Sequence, residues 1–308
     1  MNASLAKAAA LLEKLNIRAA ADEPLAGHTS FRIGGPADLA VFPSDASQIC
    51  AGVAALDGCG VPFFIVGRGT NLLFSDAGLR GAAIITAGAD SCSVRGNRIS
   101  APAGCRLSTM ASRAAAASLA GLEFAHGIPG TVGGGVFMNA GAYGGQLSDR
   151  LVSVTVLDRE KMTVYELPAE RLGLSYRRSI LQERSNLLLL EAEFEAEEGD
   201  PESIYALMKE LASKRREKQP LEYPSAGSVF KRPAPDRYVG KMIEDAGLKG
   251  CRVGGAEVSV KHAGFIVNRG GATCSDVLRL IETVQDTLER IYGVRPECEI
   301  RRVPENLA

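Results

Sequence analysis

Apolar positions along this chain switch between a helical and a strand period. Leu5, Leu11, Leu12 and Leu15 fall on one face of an N-terminal helix that also carries Lys7, Glu13 and Lys14. Residues 31–35 (FRIGG) open a strand-and-turn stretch. Ser44 stands where a helix cap belongs, ahead of Ile49, Val53 and Leu56 at helical spacing, and Gly58 stops that helix. The apolar run 61–66 reads as a short buried strand, 82–86 and 98–101 as further strands, and 107–120 as an Ala-rich helix. Residues 151–157 and 187–194 are strand-like, and 201–218 is a helix ending in Lys214, Arg215, Arg216 and Lys218. Pro220 and Pro224 then mark a boundary near Gln219. Beyond it come a short helix at 239–246, a strand-like run at 258–267 and a last helix. That helix is expected to start at a Ser275 cap, to bury Val277, Leu280, Ile281, Val284, Leu288 and Ile291, and to close at Gly293. Strands and helices mix without strict βαβ alternation, so the predicted class is α+β.

Composition narrows the function classes. Hydrophobic residues are 46% and charged residues 23% of 308, which excludes disordered, collagen-like and coiled-coil chains. A length of 308 suggests two domains or three. Lys+Arg is 35 against Asp+Glu 36, a net charge of −1, so no field attracts nucleic acid or an anionic membrane. Tryptophan is absent, which disfavours base-stacking platforms. Seven cysteines without a CxxC give neither a disulfide framework nor a zinc site; reduced thiols in a cytoplasmic protein are the expectation. The three histidines, His28, His126 and His262, form no HExxH, so no metal is expected. No apolar run reaches a membrane span, and the charges near the N-terminus exclude a signal-peptide core.

Glycine is enriched, at 34 residues, and it is clustered. Gly67-Arg68-Gly69-Thr70-Asn71 follows the buried strand directly. Gly127-Ile128-Pro129-Gly130-Thr131-Val132-Gly133-Gly134-Gly135 is followed by Asn139-Ala140-Gly141-Ala142-Tyr143-Gly144-Gly145. Glycine admits a ligand close to the backbone, and successive amides can form a nest for a pyrophosphate. Leu72 stands where a GxGxxG would need its third glycine, and no GK[ST] follows either cluster, so neither the Rossmann nor the P-loop signature is met. Tight turns in a β-rich domain are the plain alternative.

Six segments, in order and spanning nearly the whole chain, resemble the UDP-N-acetylenolpyruvoylglucosamine reductase family. They are TSFRIGGPAD (29–38), VGRGTNLLFSDAGLRG (66–81), GIPGTVGGGVFMNAGAYGG (127–145), YRRSI (176–180), SAGSVFKRP (225–233) and HAGFIVN (262–268). The resemblance implies a vanillyl-alcohol-oxidase/PCMH-type FAD-binding fold. Two FAD-binding subdomains (1–88 and 89–218) would be followed by a substrate-binding domain (219–308). It further implies NADPH-dependent reduction of UDP-N-acetylglucosamine enolpyruvate through FAD, in peptidoglycan precursor synthesis. The FAD is expected to be non-covalent, because Arg68, Gly69 and Thr70 occupy the stretch where relatives of this fold attach it to a histidine. The implied cofactor residues are Arg32, Gly67–Asn71, the loop residues Gly127, Ile128, Pro129, Gly130, Thr131, Gly133 and Gly134, and then Asn139, Gly141 and Ala142. A monomer is expected.

The implied chemistry is a hydride relay. It needs donors at the enolpyruvyl carboxylate and an acid for the adjacent carbon. By the family pattern, Arg177 clamps the carboxylate, as a guanidinium fork suits it. Ser228 matches the proton donor. Glu297 matches a second acid that must be protonated, so burial is expected to raise its pKa. Glu299, two residues on, is the alternative; the family usually has Glu-Val-Arg where this chain has Glu297-Cys298-Glu299. Arg215 and Lys218 match a nucleotide-phosphate site, with a cationic last helical turn as the plain alternative. Arg232 stands where some relatives carry Asn, which would make a diphosphate contact ionic. Tyr143, His262 and Asn268 complete the expected substrate contacts. The acidic stretch 192–201 is short and lacks a gating tyrosine, which indicates the loop-lacking type. A flavin oxidase of the same fold, or a non-catalytic flavin binder, are the competing functions.

Overall fold

A computed structural model describes residues 2–88, 90–234 and 236–307. Ala89, the first residue of the expected second segment, lies outside the described residues, as do the chain ends Met1 and Ala308. The chain forms two compact units. The first comprises Met1–Ala20, Ala40–Arg68 and Ala83–Arg215; the second comprises Ala21–Leu39, Gly69–Ala82 and Arg216–Ala308.

The first unit is built on a five-stranded antiparallel sheet, in the order Thr163–Pro168, Leu151–Asp158, Leu187–Glu195, Arg98–Pro102, Ser93–Arg95. Its central strand shows why it forms. Ala192 and Phe194 point inward and are buried, while Glu191, Glu193 and Glu195 alternate to the other face. The buried face packs with Leu107, Met110 and Ala114 of the helix Leu107–Ala116, and with Val132 and Val136 of the helix Val132–Phe137. Each such large apolar side chain contributes roughly 1.5–3 kcal/mol. The Ala-rich helix ends at Ala116, earlier than its composition predicts. Ser118 turns left-handed (φ 57°), and Leu119–Ala120 pairs instead with Glu197–Glu198. Sheet pairing outweighs alanine's modest helix preference here. That pairing also takes up the 192–201 stretch without an inserted loop.

At the N-terminus the helix Ala3–Lys14 buries Leu5, Ala8 and Leu12. Leu15 lies beyond its end and is 45% exposed, contrary to the helical-face reading; Ile17 is buried instead. The cap of the helix Ala46–Gly58 is Asp45, whose carboxylate accepts from the Gln48 amide at 2.8 Å, and Ser44 donates to Asp45. The strand Phe63–Val66 lies beside Leu79–Ile85 in a four-stranded sheet and runs into the first glycine cluster.

The second unit holds a four-stranded antiparallel sheet, in the order Ser225–Ser228, Phe265–Asn268, Ala256–Val258, Arg252–Val253. The expected single strand at 258–267 is therefore two strands. Ser259 breaks the run, its hydroxyl accepting from the amides of Lys261 and His262. The helix Cys274–Tyr292 covers this core with Val277, Leu280, Ile281, Val284 and Leu288; Ile291 is exposed. Its cap is Thr273, in a capping box with Asp276, rather than Ser275. The Ser275 amide is itself an unpaired helix-end donor, and the Asp76 carboxylate accepts from it and from Cys274. Strands Arg301–Val303 and Leu72–Phe74 pair in parallel, which joins the chain end to the first glycine segment. Among the described residues no helix is long and apolar enough to cross a membrane.

Candidate active-site residues

Gly67, which opens the first glycine cluster, meets the second cluster within the first unit. A Cβ on Gly67 would lie 2.4 Å from Thr131 Oγ1, so only a glycine allows this approach. Thr131 is buried, caps the helix Val132–Phe137 and accepts from the Gly134 amide at 3.3 Å. Gly69 is required by conformation as well: its φ is +59°, and a Cβ would lie 2.2 Å from the His28 carbonyl oxygen.

The second cluster is not a continuous amide nest. The amides of Ile128, Val132, Gly133 and Gly135 donate to the carbonyls of Ala125, Cys105, Ala103 and Thr131. What the loop offers is an open backbone face. At Gly127 a Cβ would meet nothing closer than Arg215 Cδ, at 3.6 Å, and at Gly134 nothing closer than Thr131 Oγ1, at 3.6 Å. Arg215 is half-buried, and desolvation holds its guanidinium below its ordinary pKa while the nearby Tyr143 acts the other way. Beside Gly127, His126 Nδ1 is buried with no partner. An open glycine face, a desolvated guanidinium and an orphaned ring nitrogen suit a ligand that carries phosphate, so these residues fit a flavin dinucleotide.

Arg177 sits on a tight turn in the same unit. Ser175 and Arg178 exchange both main-chain hydrogen bonds, at 3.2 and 3.1 Å, leaving Tyr176 and Arg177 at the tip. Arg177 has φ +56°, the position where such a turn favours glycine, a strain of roughly 1–3 kcal/mol. Its Nη2 donates to the Gly141 carbonyl at 3.2 Å, and Gln182 Nε2 donates to its carbonyl at 3.1 Å. Asn139 is buried, with φ +40°. Its Nδ2 donates to Ser175 O (3.1 Å) and Gln146 Oε1 (3.3 Å), and its Oδ1 accepts from the Ser148 amide (3.0 Å). Ala142 pairs with Gly145 in the short hairpin that presents Tyr143. Lys218, of the second unit, is exposed at the end of the helix Pro201–Lys218.

The remaining residues belong to the second unit. Ser228 ends a strand opposite Phe265 and is half-buried. The burial expected of Glu297 is absent: its side chain is 73% exposed and paired with Lys231 Nζ at 2.6 Å. The chain bridges Cys298 to Phe230, which sets residue 297 opposite Lys231. Glu299 is half-buried and fixed on both sides. Its amide donates to Val229 O at 2.7 Å, and its carbonyl accepts from Asn71 Nδ2 at 3.0 Å. The register Glu299-Ile300-Arg301, read against Glu-Val-Arg, is the sequence signal that points to it. Arg32 is exposed with φ +56°, and Arg68, of the first unit, is exposed. Arg232 is exposed, its guanidinium 5.6 Å from the Tyr238 ring.

His262 and Asn268 are committed to their own unit. His262 Nδ1 accepts from the Gly264 amide at 3.1 Å, its ring meets Phe265 edge-on, and burial pushes its pKa down. Asn268 is buried; its Nδ2 donates to Phe31 O, and its Oδ1 accepts from the amides of Gly270 and Ala272. The side chain of Asn268 thus ties three backbone groups of its own unit together.

Comparison with known proteins gives the class first. Residues 37–167 match a family model described as an FAD binding domain. With the α+β sheets above, this defines a flavoprotein of the vanillyl-alcohol-oxidase/PCMH type. Residues 219–303 match the C-terminal domain of UDP-N-acetylenolpyruvoylglucosamine reductase. The curated protein of that name from Caldanaerobacter subterraneus subsp. tengcongensis is 48% identical over 92% of this chain and 93% of its own. The one from Clostridium novyi is 44% identical over 90% of each. The crystal structure of UDP-N-acetylenolpyruvylglucosamine reductase from Thermus caldophilus superposes with a TM-score of 0.79 at 31% identity, covering 94% of this chain and 99% of that one. The chain belongs to the UDP-N-acetylenolpyruvoylglucosamine reductase family.

Proposed function

We propose that the chain uses FAD to carry reducing equivalents from NADPH to UDP-N-acetylglucosamine enolpyruvate, giving UDP-N-acetylmuramate for bacterial peptidoglycan. It is an FAD-dependent oxidoreductase. The single observation that carries the reading at the level of residues is the convergence in the first unit. Gly67 meets Thr131, and the Arg177 guanidinium is tied to the carbonyl of Gly141 in the same glycine segment.

When bound, FAD would supply a two-electron store between NADPH and the enol ether. The backbone faces of Gly67–Asn71 and 127–134 would hold that cofactor without a covalent bond. Arg177 pairs with the enolpyruvyl carboxylate and stabilises the charge that grows there. Ser228 Oγ gives its proton to the carbon next to the carboxylate. A serine is a weak acid and serves because the intermediate is a strong base. For the second acid the half-buried Glu299, whose main chain is anchored on both sides, is the better candidate, since Glu297 is exposed and paired with Lys231. Arg215, Tyr143 and Lys218 take the diphosphate, and Arg232 adds a charge to the same task.

Residues 1–88 and 89–218 are the flavin subdomains, the second of which also lends Tyr143, Arg177, Arg215 and Lys218 to the substrate, and 219–308 is the substrate-binding domain; the family matches at 37–167 and 219–303 support this division. The enzyme works in the cytoplasm as a monomer.

The test is stoichiometry under anaerobic conditions. One NADPH consumed per enolpyruvyl substrate, with the product heavier by two hydrogens, supports the reading. NADPH oxidation that requires oxygen and leaves the substrate unchanged supports a flavin oxidase and overturns it.

A further inference from the structure

We propose that Asn139 is a positioning residue for Arg177. It sets the turn that aims the guanidinium, acting through the Ser175 carbonyl. The inference rests on the reading of Arg177 as the carboxylate clamp.

Arg177 is in an unfavourable place for a precise side chain. It occupies the tip of a two-residue turn in a left-handed conformation that arginine disfavours, and it is only half-buried. A turn of this kind relaxes unless its surroundings over-determine it. Both ends of the problem are solved by one tripeptide. Asn139 Nδ2 holds the base of the turn at Ser175 O (3.1 Å), and Gly141 O receives the head of the side chain from Arg177 Nη2 (3.2 Å). Asn139 is in turn fixed from two further directions, by Gln146 Oε1 and by the Ser148 amide. Three hydrogen bonds on a buried amide leave it no freedom to serve as a mobile ligand contact. Backbone and head group of Arg177 are thus referenced to the same short stretch of the glycine segment. That stretch is where the flavin is expected to lie, so the clamp and the cofactor share one frame.

The residue type fits the task. Asparagine tolerates its own φ of +40°, which alanine does not. Only an amide offers both the donor for Ser175 and the acceptor for Ser148. Aspartate keeps the shape and the acceptor and lacks the donor.

The experiment uses the FAD-loaded enzyme and two variants, Asn139→Gly, which keeps the backbone conformation, and Asn139→Asp, which keeps the shape. FAD content and melting temperature show that each has folded. Flavin reduction by NADPH and reoxidation by the enolpyruvyl substrate are followed separately without oxygen. Each variant is also combined with Arg177→Lys. The expected result is reoxidation slowed about 10- to 100-fold, reduction affected much less, and little further loss when the Asn139 change is added to Arg177→Lys. Equal slowing of both half-reactions, or full additivity with a slow Arg177→Lys, overturns the inference and leaves the clamp standing. Arg177→Lys reoxidised at the wild-type rate overturns the clamp itself, and this inference with it.

Discussion

Glu297 and Glu299 stand two residues apart and differ in exposure, and that difference favours Glu299 as the proposed acid. The first faces water and Lys231; the second is held by Val229 and Asn71. Glu299→Gln should lower kcat by about 100-fold or more, as loss of a positioned acid does. Glu297→Gln removes only an exposed ion pair, worth less than about 1 kcal/mol, and should change turnover less than threefold; steady-state kinetics of both variants check this. Ser228→Ala should leave flavin reduction by NADPH intact and slow reoxidation about 100-fold or more. Equal slowing of the two halves contradicts the role of Ser228. His262 gives a pH effect of known sign. Burial lowers its pKa, so the fold favours the neutral ring. Its contribution to stability is fully present above the unfolded value of about 6.5 and is lost as pH falls through that value towards the folded one. His262→Gln should flatten this part of the melting-temperature profile. At this scale the sequence revealed residue types and order. Burial, which separates Glu299 from Glu297 and turns Asn268 inward, depends on neighbours distant along the chain and could not be read from it.

At the scale of elements, the glycine segments carry the expected cofactor residues, and two of their glycines are constrained by the protein itself. Gly69→Ala sets a Cβ against the His28 carbonyl in a left-handed conformation and should destabilise by more than about 1 kcal/mol. Gly67→Ala sets a Cβ 2.4 Å from Thr131 Oγ1 and displaces that helix cap. It should fold but lose FAD, and absorbance of the purified protein together with FAD titration measures this. Thr273→Ala removes a cap and should cost about 1 kcal/mol in urea unfolding, whereas Ser275→Ala should cost little. Strand and helix periods made most elements legible, including the helix Pro201–Lys218 at its observed bounds. The misreadings have local causes. Ser259 splits a continuous apolar run, strand pairing at Leu119–Ala120 shortens an alanine helix, and Thr273, two residues ahead of Ser275, supplies the cap.

For the whole molecule, six short motifs spread over some 240 residues identified the family before any coordinates, because a fixed constellation of chemistry-bearing residues constrains many distant positions at once. The expected amide nest was partly wrong for the same reason. Glycines report that backbone can be approached, and only the fold shows that Val132, Gly133 and Gly135 give their amides to the protein and that Gly127 lies open beside Arg215. A net charge of −1 agrees with a small-molecule substrate whose phosphates meet a few placed cations rather than a basic surface. The central claim is a flavin reduced by one substrate and reoxidised by the other. Its most direct test is anaerobic rapid mixing of the purified protein, first with NADPH and then with UDP-N-acetylglucosamine enolpyruvate, while the flavin absorbance is followed. Bleaching by NADPH and full return of the oxidised spectrum on adding the enolpyruvyl substrate are the expected results. A flavin that stays reduced until air is admitted would contradict it.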